Sequence, residues 1–420
     1  VKLYDYAENR ENFYINDINY ISASYGLDNW NTFQHWYMYK TAMTLDAVPE
    51  FSFNIANIIK SIFGRNKKAL ALDLDNTLWG GIVGDDGVDG IEIGEETPNG
   101  QAFREFQGYI KAHKNIGVML TVCSKNEEEN AIAGLNHPDC QLRPNDFVNI
   151  KANWENKDIN INNTAAEMNI FPDSFVFLDD NPAERAIVSH QIHGIAVPNM
   201  DGVENYIIIV DRNGYFEVTN FSDDDLNRNK MYEANAARTK AQNSFESYSE
   251  YLLSLNMKAE ICDFKPMYLQ RITQLTNKSN QFNLTTKRYT TAEMEKTVQD
   301  RDSIRLCGRL EDKFGDNGIV TVVIGHKELD TVHIDLWLMS CRVLKRDMEL
   351  AMLDRFVEEC VKTGAKKIKG YYYKTAKNKM VSQLLKTFGF KLVEENGEDT
   401  VWEMYLEGYK NQNHVIKLDE

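Results

Sequence analysis

Cysteine is sparse and scattered in this chain of 420 residues. Its six positions, Cys123, Cys140, Cys262, Cys307, Cys341 and Cys360, form no C-x-x-C pair and have no histidine at zinc spacing. Neither a disulfide framework nor a zinc site is signalled, and reduced thiols in a cytoplasmic protein fit best. Long apolar runs are missing too, so no segment is suited to crossing a bilayer. The opening residues Lys2, Asp5, Glu8, Arg10 and Glu11 are too charged for a secretory signal. Positive charge is in deficit: 63 Asp and Glu against 47 Lys and Arg leave −16, spread along the chain rather than gathered in a tail. That balance argues against a nucleic-acid partner or an anionic membrane surface. There is no internal repeat and no low-complexity tract. Position 1 is Val instead of Met, which points to a longer parent chain.

What is present is length and apolar material. A chain of this size exceeds what one hydrophobic core supports, so two or three domains are expected, and 43% apolar residues suffice to fill them. Residues 1–64 are rich in aromatic side chains, among them Tyr14, Tyr20, Tyr25, Trp30, Phe33, Trp36 and Tyr39. Such density implies burial against something. Helical spacing from Phe53 to Phe63, closed by Gly64, predicts one helix.

From residue 65 to 221 short apolar runs alternate with amphipathic segments. Ala69 to Asp73, Gly117 to Ser124, Phe147 to Ile150, Phe175 to Asp179 and Ile195 to Pro198 read as strands. Phe103, Phe106 and Ile110 mark a helix between the first two. This order predicts an α/β domain with a parallel sheet covered on both faces. Residues 222–420 begin with a helix around Asp225 to Gln242 and continue as a separate α+β domain. Its expected strands are Val320 to Ile324, Thr331 to Met339, Lys366 to Tyr373, Lys391 to Glu394 and Val401 to Leu406, with a helix from Asp347 to Thr363.

The groups suited to chemistry sit where these strands end. Asp73 and Asp75 emerge one residue apart in Leu72-Asp73-Leu74-Asp75-Asn76-Thr77-Leu78, followed by the glycine-rich Trp79 to Gly87. Unpaired acids at a buried strand end are costly unless compensated, and Mg2+ suits an all-oxygen set. Asp179 and Asp180 follow the apolar run Phe175 to Leu178 and can complete that set. Ser124 can donate to a phosphoryl oxygen, and Lys157, opening the next helix, can offset its charge. Together they supply what phosphoryl transfer needs: a nucleophile, a metal site, donors and an acid.

These residues resemble the haloacid dehalogenase superfamily, a Rossmannoid fold of aspartyl-phosphate phosphatases and phosphotransferases. The run LDLDNTLWGGIVGDDG, then VCSKN, a Lys-bearing helix and VFLDDNPAER is similar to its FkbH-like branch, the capless subfamily IIIC. The resemblance implies Asp73 as nucleophile, Asp75 as general acid and base, Thr77 orienting Asp75, and Ser124 and Lys157 as phosphate binders. It implies Mg2+ held by Asp73, Asp179, Asp180 and the main-chain carbonyl of Asp75. The stretches Trp79 to Thr97 and Ser124 to Phe147 are too short for a cap domain, so the site should be open and suit a large phosphorylated substrate, such as a carrier protein or a glycan end.

The same branch carries a C-terminal region similar to GNAT acyltransferases. Trp337 to Leu344, Lys374 to Asn378 and Phe388-Gly389-Phe390 match it. The pyrophosphate loop of that fold, which ends in two small residues, reads Arg342-Val343-Leu344-Lys345-Arg346-Asp347 here. Lys345 and Asp347 crowd an acyl-CoA or phosphopantetheine pyrophosphate. Arg342, Lys345 and Arg346 could instead meet phosphate through side chains, or face an acidic acyl carrier protein. Residues 1–64 resemble the end of an SGNH-hydrolase-like domain. The implied function is a Mg2+-dependent phosphatase or phosphotransferase in polyketide or glycan biosynthesis. One alternative is a transferase that loads a glyceryl unit from 1,3-bisphosphoglycerate onto a carrier protein through Cys123 or Cys341, although inert burial is the commoner fate of such thiols. The other is a non-catalytic scaffold.

Overall fold

Four short apolar runs build the first sheet: β1 (Ala69–Leu72), β2 (Met119–Ser124), β3 (Asn149–Ala152) and β4 (Phe175–Leu178). In the computed structural model they pair in the order β3-β2-β1-β4, all parallel. β1, β2 and β4 are buried at every position, the mark of a sheet covered on both faces. The structure describes residues 2–8, 10, 13–219 and 244–419, with Met231, Ala234, Asn235, Arg238, Ala241 and Gln242 between. Much of the helix expected over Asp225 to Gln242 therefore lies outside the described residues. The chain divides into two units, Val1–Asn229 and Lys230–Glu420.

The crossover helices of the first unit start where the sequence offers caps. Thr97 accepts a hydrogen bond from the Gly100 amide, with Pro98 at the first helical position, and the helix Pro98–His113 then buries Phe103, Phe106 and Ile110. Helices Glu128–Leu135, Lys157–Glu167 and Pro182–Gln191 follow the next three strands. Two expectations need correction. β3 starts two residues later than predicted, because Pro144–Asp146 forms a 3-10 turn that ends at Phe147. The strand expected over Ile195 to Pro198 is reduced to one parallel bridge, Val176 with Ala196. Gly194 turns at φ 82 just before it, and Pro198 has no amide to donate.

Between residues 13 and 64 the chain forms short helices and one long one, Val48–Ile62, which starts earlier than predicted. The expected burial of the aromatic residues is only partly met. Trp30 is buried with Ile21 and Ala47, whereas helix Phe33–Tyr39 buries none of its residues and leaves Phe33 and Tyr37 exposed.

The second unit is a nine-stranded mixed sheet. Its strands are β5 (Lys258–Cys262), β6 (Phe282–Asn283), β7 (Ser303–Asp312), β8 (Gly315–Glu328), β9 (Thr331–Met339), β10 (Lys367–Tyr372), β11 (Lys391–Asn396), β12 (Asp399–Tyr405) and β13 (Lys417–Leu418). They run in the order β11-β12-β10-β9-β8-β7-β5-β13, with β6 paired to β9. Helix Met348–Lys362 buries Leu353, Phe356, Val357 and Cys360, and Gly364 turns the chain at φ 78. Phe388 packs on Trp337 with ring centroids 5.0 Å apart, so both ends of the Phe-Gly-Phe motif join the core. The architecture is the expected α/β unit followed by an α+β unit.

Candidate active site

β1 and β4 are adjacent and in register, so the residues that follow them leave the sheet at one edge. The Asp73 amide donates to the Leu178 carbonyl at 3.0 Å, extending the pairing by one residue. Beyond it the chain turns at Asn76, whose φ of 54 is a left-handed conformation that asparagine tolerates. The Asn76 side chain accepts the Gly81 amide, and Tyr206 donates its hydroxyl to the Asn76 carbonyl at 3.2 Å.

Four of the expected residues converge at this edge. The Lys157 ammonium lies 2.9 Å from an Asp73 oxygen and 2.6 Å from one of Asp179, with all three side chains buried. One carboxylate oxygen each from Asp73, Asp179 and Asp180 lies within 4.8 Å of the others. A single ammonium cannot balance three carboxylates. Burial, reinforced by the nearby Asp73, pushes the Asp179 carboxyl well above the usual carboxylate range despite its bond to Lys157, and Asp180 is raised for the same two reasons. For Lys157, burial opposes the charge, but Asp73 and Asp179 outweigh it and hold the ammonium protonated above its ordinary range. An all-oxygen cluster with excess negative charge fits a hard divalent cation such as Mg2+.

Asp75 faces a different way. One of its oxygens accepts from the Trp79 indole and the Val83 amide, each at 3.0 Å, and the other accepts from the Asn126 side chain at 3.0 Å. Burial raises its pKa, and the bonds from Val83 and Trp79 work against that rise. These three donors aim the carboxylate. Ser124 is buried at the end of β2, whose Val122 pairs with Leu72, so Ser124 and Asp73 both stand at the carboxyl end of adjacent strands.

Several expected roles need revising. Thr77, expected to orient Asp75, instead accepts the Asp180 amide at 3.1 Å and ties the first acidic loop to the second. Cys123 is buried, its thiol donates to the Lys157 carbonyl at 3.5 Å, and burial drives its pKa far up. Buried and held protonated, this thiol is not presented to an incoming acyl phosphate. Arg346 cannot meet a carrier or a pyrophosphate, because it is turned inward. Its guanidinium pairs with Asp312 at 3.0 Å beside Arg238, which grips the same carboxylate through two bonds. Arg342 bonds the Ser340 hydroxyl at 3.1 Å, Cys341 is half-buried, and Lys345 is exposed with a φ of 63. Asp347, also left-handed, opens helix Met348–Lys362 without a side-chain cap. This loop does not fit a pyrophosphate cradle: one cation is spent inside, and an acid stands at the helix start.

Three contributors escaped the sequence reading although they lie inside the quoted motifs. Asn126, two residues past Ser124, holds Asp75. Asn181 donates its amide to Asp179 at 2.8 Å. Arg185 is buried and donates to the main-chain carbonyls of Asp179 and Asp180 at 2.8 and 2.6 Å, fixing the second acidic loop from behind. Their polar character at helix starts was the available signal.

Several solved structures are similar to parts of this chain. A crystal structure of the N-terminal part of a Bacteroides fragilis protein, containing a phosphatase domain complexed with Mg, matches at 39% identity and a TM-score of 0.51 over 52% of this chain. The match spans 59% of that structure's length. The ribosomal-protein-S18-alanine N-acetyltransferase of Escherichia coli matches over 37% of this chain and 99% of its own, at 11% identity and a TM-score of 0.28. A GNAT-family acetyltransferase from Streptococcus pneumoniae matches over 35% and 99%, at 12% identity and a TM-score of 0.29. No family model and no curated protein matches the chain.

Proposed function

We propose that the first unit is a Mg2+-dependent phosphatase or phosphotransferase that works through an aspartyl-phosphate on Asp73. The observation that carries this reading is the convergence of Asp73, Lys157, Asp179 and Asp180, drawn from three separate stretches of chain, at the carboxyl edge of a parallel sheet. The Mg-complexed phosphatase domain to which this half is similar supports it.

In this reading Asp73 attacks phosphorus and the bond to the leaving oxygen breaks. Asp75, aimed by Trp79, Val83 and Asn126, passes its proton to that oxygen. Asp75 then takes a proton from water as the water attacks the aspartyl-phosphate, and inorganic phosphate leaves. In a phosphotransferase, an acceptor hydroxyl takes the place of water. Lys157 and Ser124 bind the phosphoryl oxygens. Mg2+, held by Asp73, Asp179, Asp180 and the Asp75 carbonyl, would neutralise charge gathering on the phosphoryl group.

Between Trp79 and Thr97 the chain forms only the short helix Val83–Asp86, a 3-10 turn and a bridge of Gly80 with Glu92, so nothing the size of a cap domain covers this edge from there. An open edge suits a large phosphorylated substrate, such as a carrier-bound or glycan intermediate. The test is phosphate release from p-nitrophenyl phosphate and from a panel of phosphorylated metabolites, with and without Mg2+. Asp73→Asn should abolish turnover. Equal turnover by that variant would refute the reading.

A further inference from the structure

Two of the cysteines that the chemistry above leaves unused stand directly opposite one another. β5 and β7 are antiparallel neighbours, and their register places Cys262 across from Cys307. Both belong to one apolar cluster on the same face of the sheet, Cys307 wholly buried and Cys262 only partly. β13 covers β5 at Lys258 and Ala259 only, so the Cys262 end of β5 lacks that outer strand.

We infer that Cys262 and Cys307 form an oxidisable dithiol that closes to a reversible cross-strand disulfide. Directly opposed residues of an antiparallel pair have Cα atoms about 4.5 or 5.5 Å apart, and a disulfide needs roughly 4.4 to 6.8 Å. Their Cβ atoms are ordinarily about 4.5 to 5.5 Å apart, against a disulfide mean near 3.8 Å, so closure draws the strands together. The partly exposed Cys262 leaves such a bond open to thiol reductants, the property of a switch rather than a permanent staple.

The oxidant is hydrogen peroxide. The half-buried Cys262 meets it first: its thiolate sulfur attacks one peroxide oxygen, the O–O bond breaks and one water leaves, giving a sulfenic acid. The Cys307 thiol, which burial holds protonated well above its ordinary range, gives its proton to the departing hydroxyl as its sulfur attacks the Cys262 sulfur; the S–O bond breaks and a second water leaves. The two thiols lose two electrons and two protons in all, and the peroxide gains both. Burial raises the Cys262 pKa, the Lys265 ammonium works against that rise, and the Glu260 carboxylate, paired with Lys265 and 3.7 Å from the sulfur, adds to it, so the reaction should quicken as pH rises from neutral.

The experiment treats the whole chain with hydrogen peroxide, counts free thiols and maps linked peptides by mass spectrometry without reduction. The expected result is the loss of two thiols in the folded monomer, a linked peptide pair containing Cys262 and Cys307, and full recovery with dithiothreitol. Cys262→Ser should abolish the link and Cys341→Ser should leave it intact. The wild-type peptide map decides the matter even if Cys307→Ser fails to fold. Retention of all six thiols, or a link between any other cysteines, would overturn the inference.

Discussion

With its side chain only 3% exposed and its ammonium shared between Asp73 and Asp179, Lys157 compensates two buried acids at once. Lys157→Met leaves both without their cation and should cost about 3 to 5 kcal/mol of stability, as loss of one partner from a buried pair does. Calorimetry in EDTA reads that loss; a midpoint unchanged from wild type would mean that solvent already screens the cluster. Mg2+ acts in the opposite direction. If Asp73, Asp179 and Asp180 hold it, the wild-type protein gains about 2.7 kcal/mol at a hundredfold excess over the dissociation constant. Asp179→Asn should lose most of that gain, and an equal gain in the variant would remove Asp179 from the site. These residues were legible because strand ends and acids are both visible in the sequence. Asn126 and Arg185 were not, because what they do depends on which loops the fold brings side by side.

The loop between β1 and helix Pro98–His113 is braced by an element far along the chain. Trp79 is fully buried, and a Cβ on Gly134, in helix Glu128–Leu135, would come within 2.9 Å of its ring. Gly134→Ala should therefore displace the indole that aims Asp75. Overpacking of this kind costs about 1 to 3 kcal/mol. Turnover should fall about tenfold while Mg2+ binding falls less, because the indole bonds the Asp75 side chain, whereas the carboxylates of Asp73 and Asp179 are held by Lys157; one tenfold factor is about 1.4 kcal/mol of barrier. Unchanged turnover would show that the ring shifts without moving Asp75. In the second unit, the start of helix Met348–Lys362 carries Glu349, one oxygen of which is buried with no hydrogen-bond partner among the described residues. Burial pushes its carboxyl up to about 7 from an ordinary 4.5. The folded state thus binds this proton more tightly than the unfolded chain does. Stability from this group is complete below pH 4.5 and declines by about 3 kcal/mol as pH rises to 7. Glu349→Gln should flatten that decline in thermal melts taken across the window, and a slope identical to wild type would place the titration elsewhere. The sequence revealed helix Met348–Lys362 through its apolar spacing. It did not reveal β5 or β7: β5 offers only Ala259 and Ile261 between its charged residues, and the alternation of β7 breaks at Cys307-Gly308.

Each unit has a hydrophobic core of its own. Leu70, Leu72, Phe106, Leu120, Val176 and Leu178 belong to one cluster, and Leu306, Val323, Trp337, Phe356 and Phe388 belong to another. The change from alternating strands and helices to a mixed sheet was legible in the sequence; the pattern puts it near residue 222, and the units divide between Asn229 and Lys230. β9 and its neighbours β8 and β10 were legible too, but β6 was not, since it is only two residues long and pairs with β9 far from its own place in the chain. Every residue assigned here to phosphoryl transfer, and every side chain that positions one, lies in the first unit. A fragment of residues 1–229 should therefore fold, bind Mg2+ and release phosphate from p-nitrophenyl phosphate within about twofold of the whole chain, a difference worth about 0.4 kcal/mol. Residues 230–420 alone should release none. If the first fragment folds by circular dichroism and gains stability from Mg2+ yet releases no phosphate, the chemistry needs the second unit, and the assignment of all catalytic groups to the first sheet edge fails. If it releases phosphate from the small ester but not from a large substrate found in the metabolite panel, the second unit contributes to substrate binding while the bond-breaking groups stay where Asp73 places them.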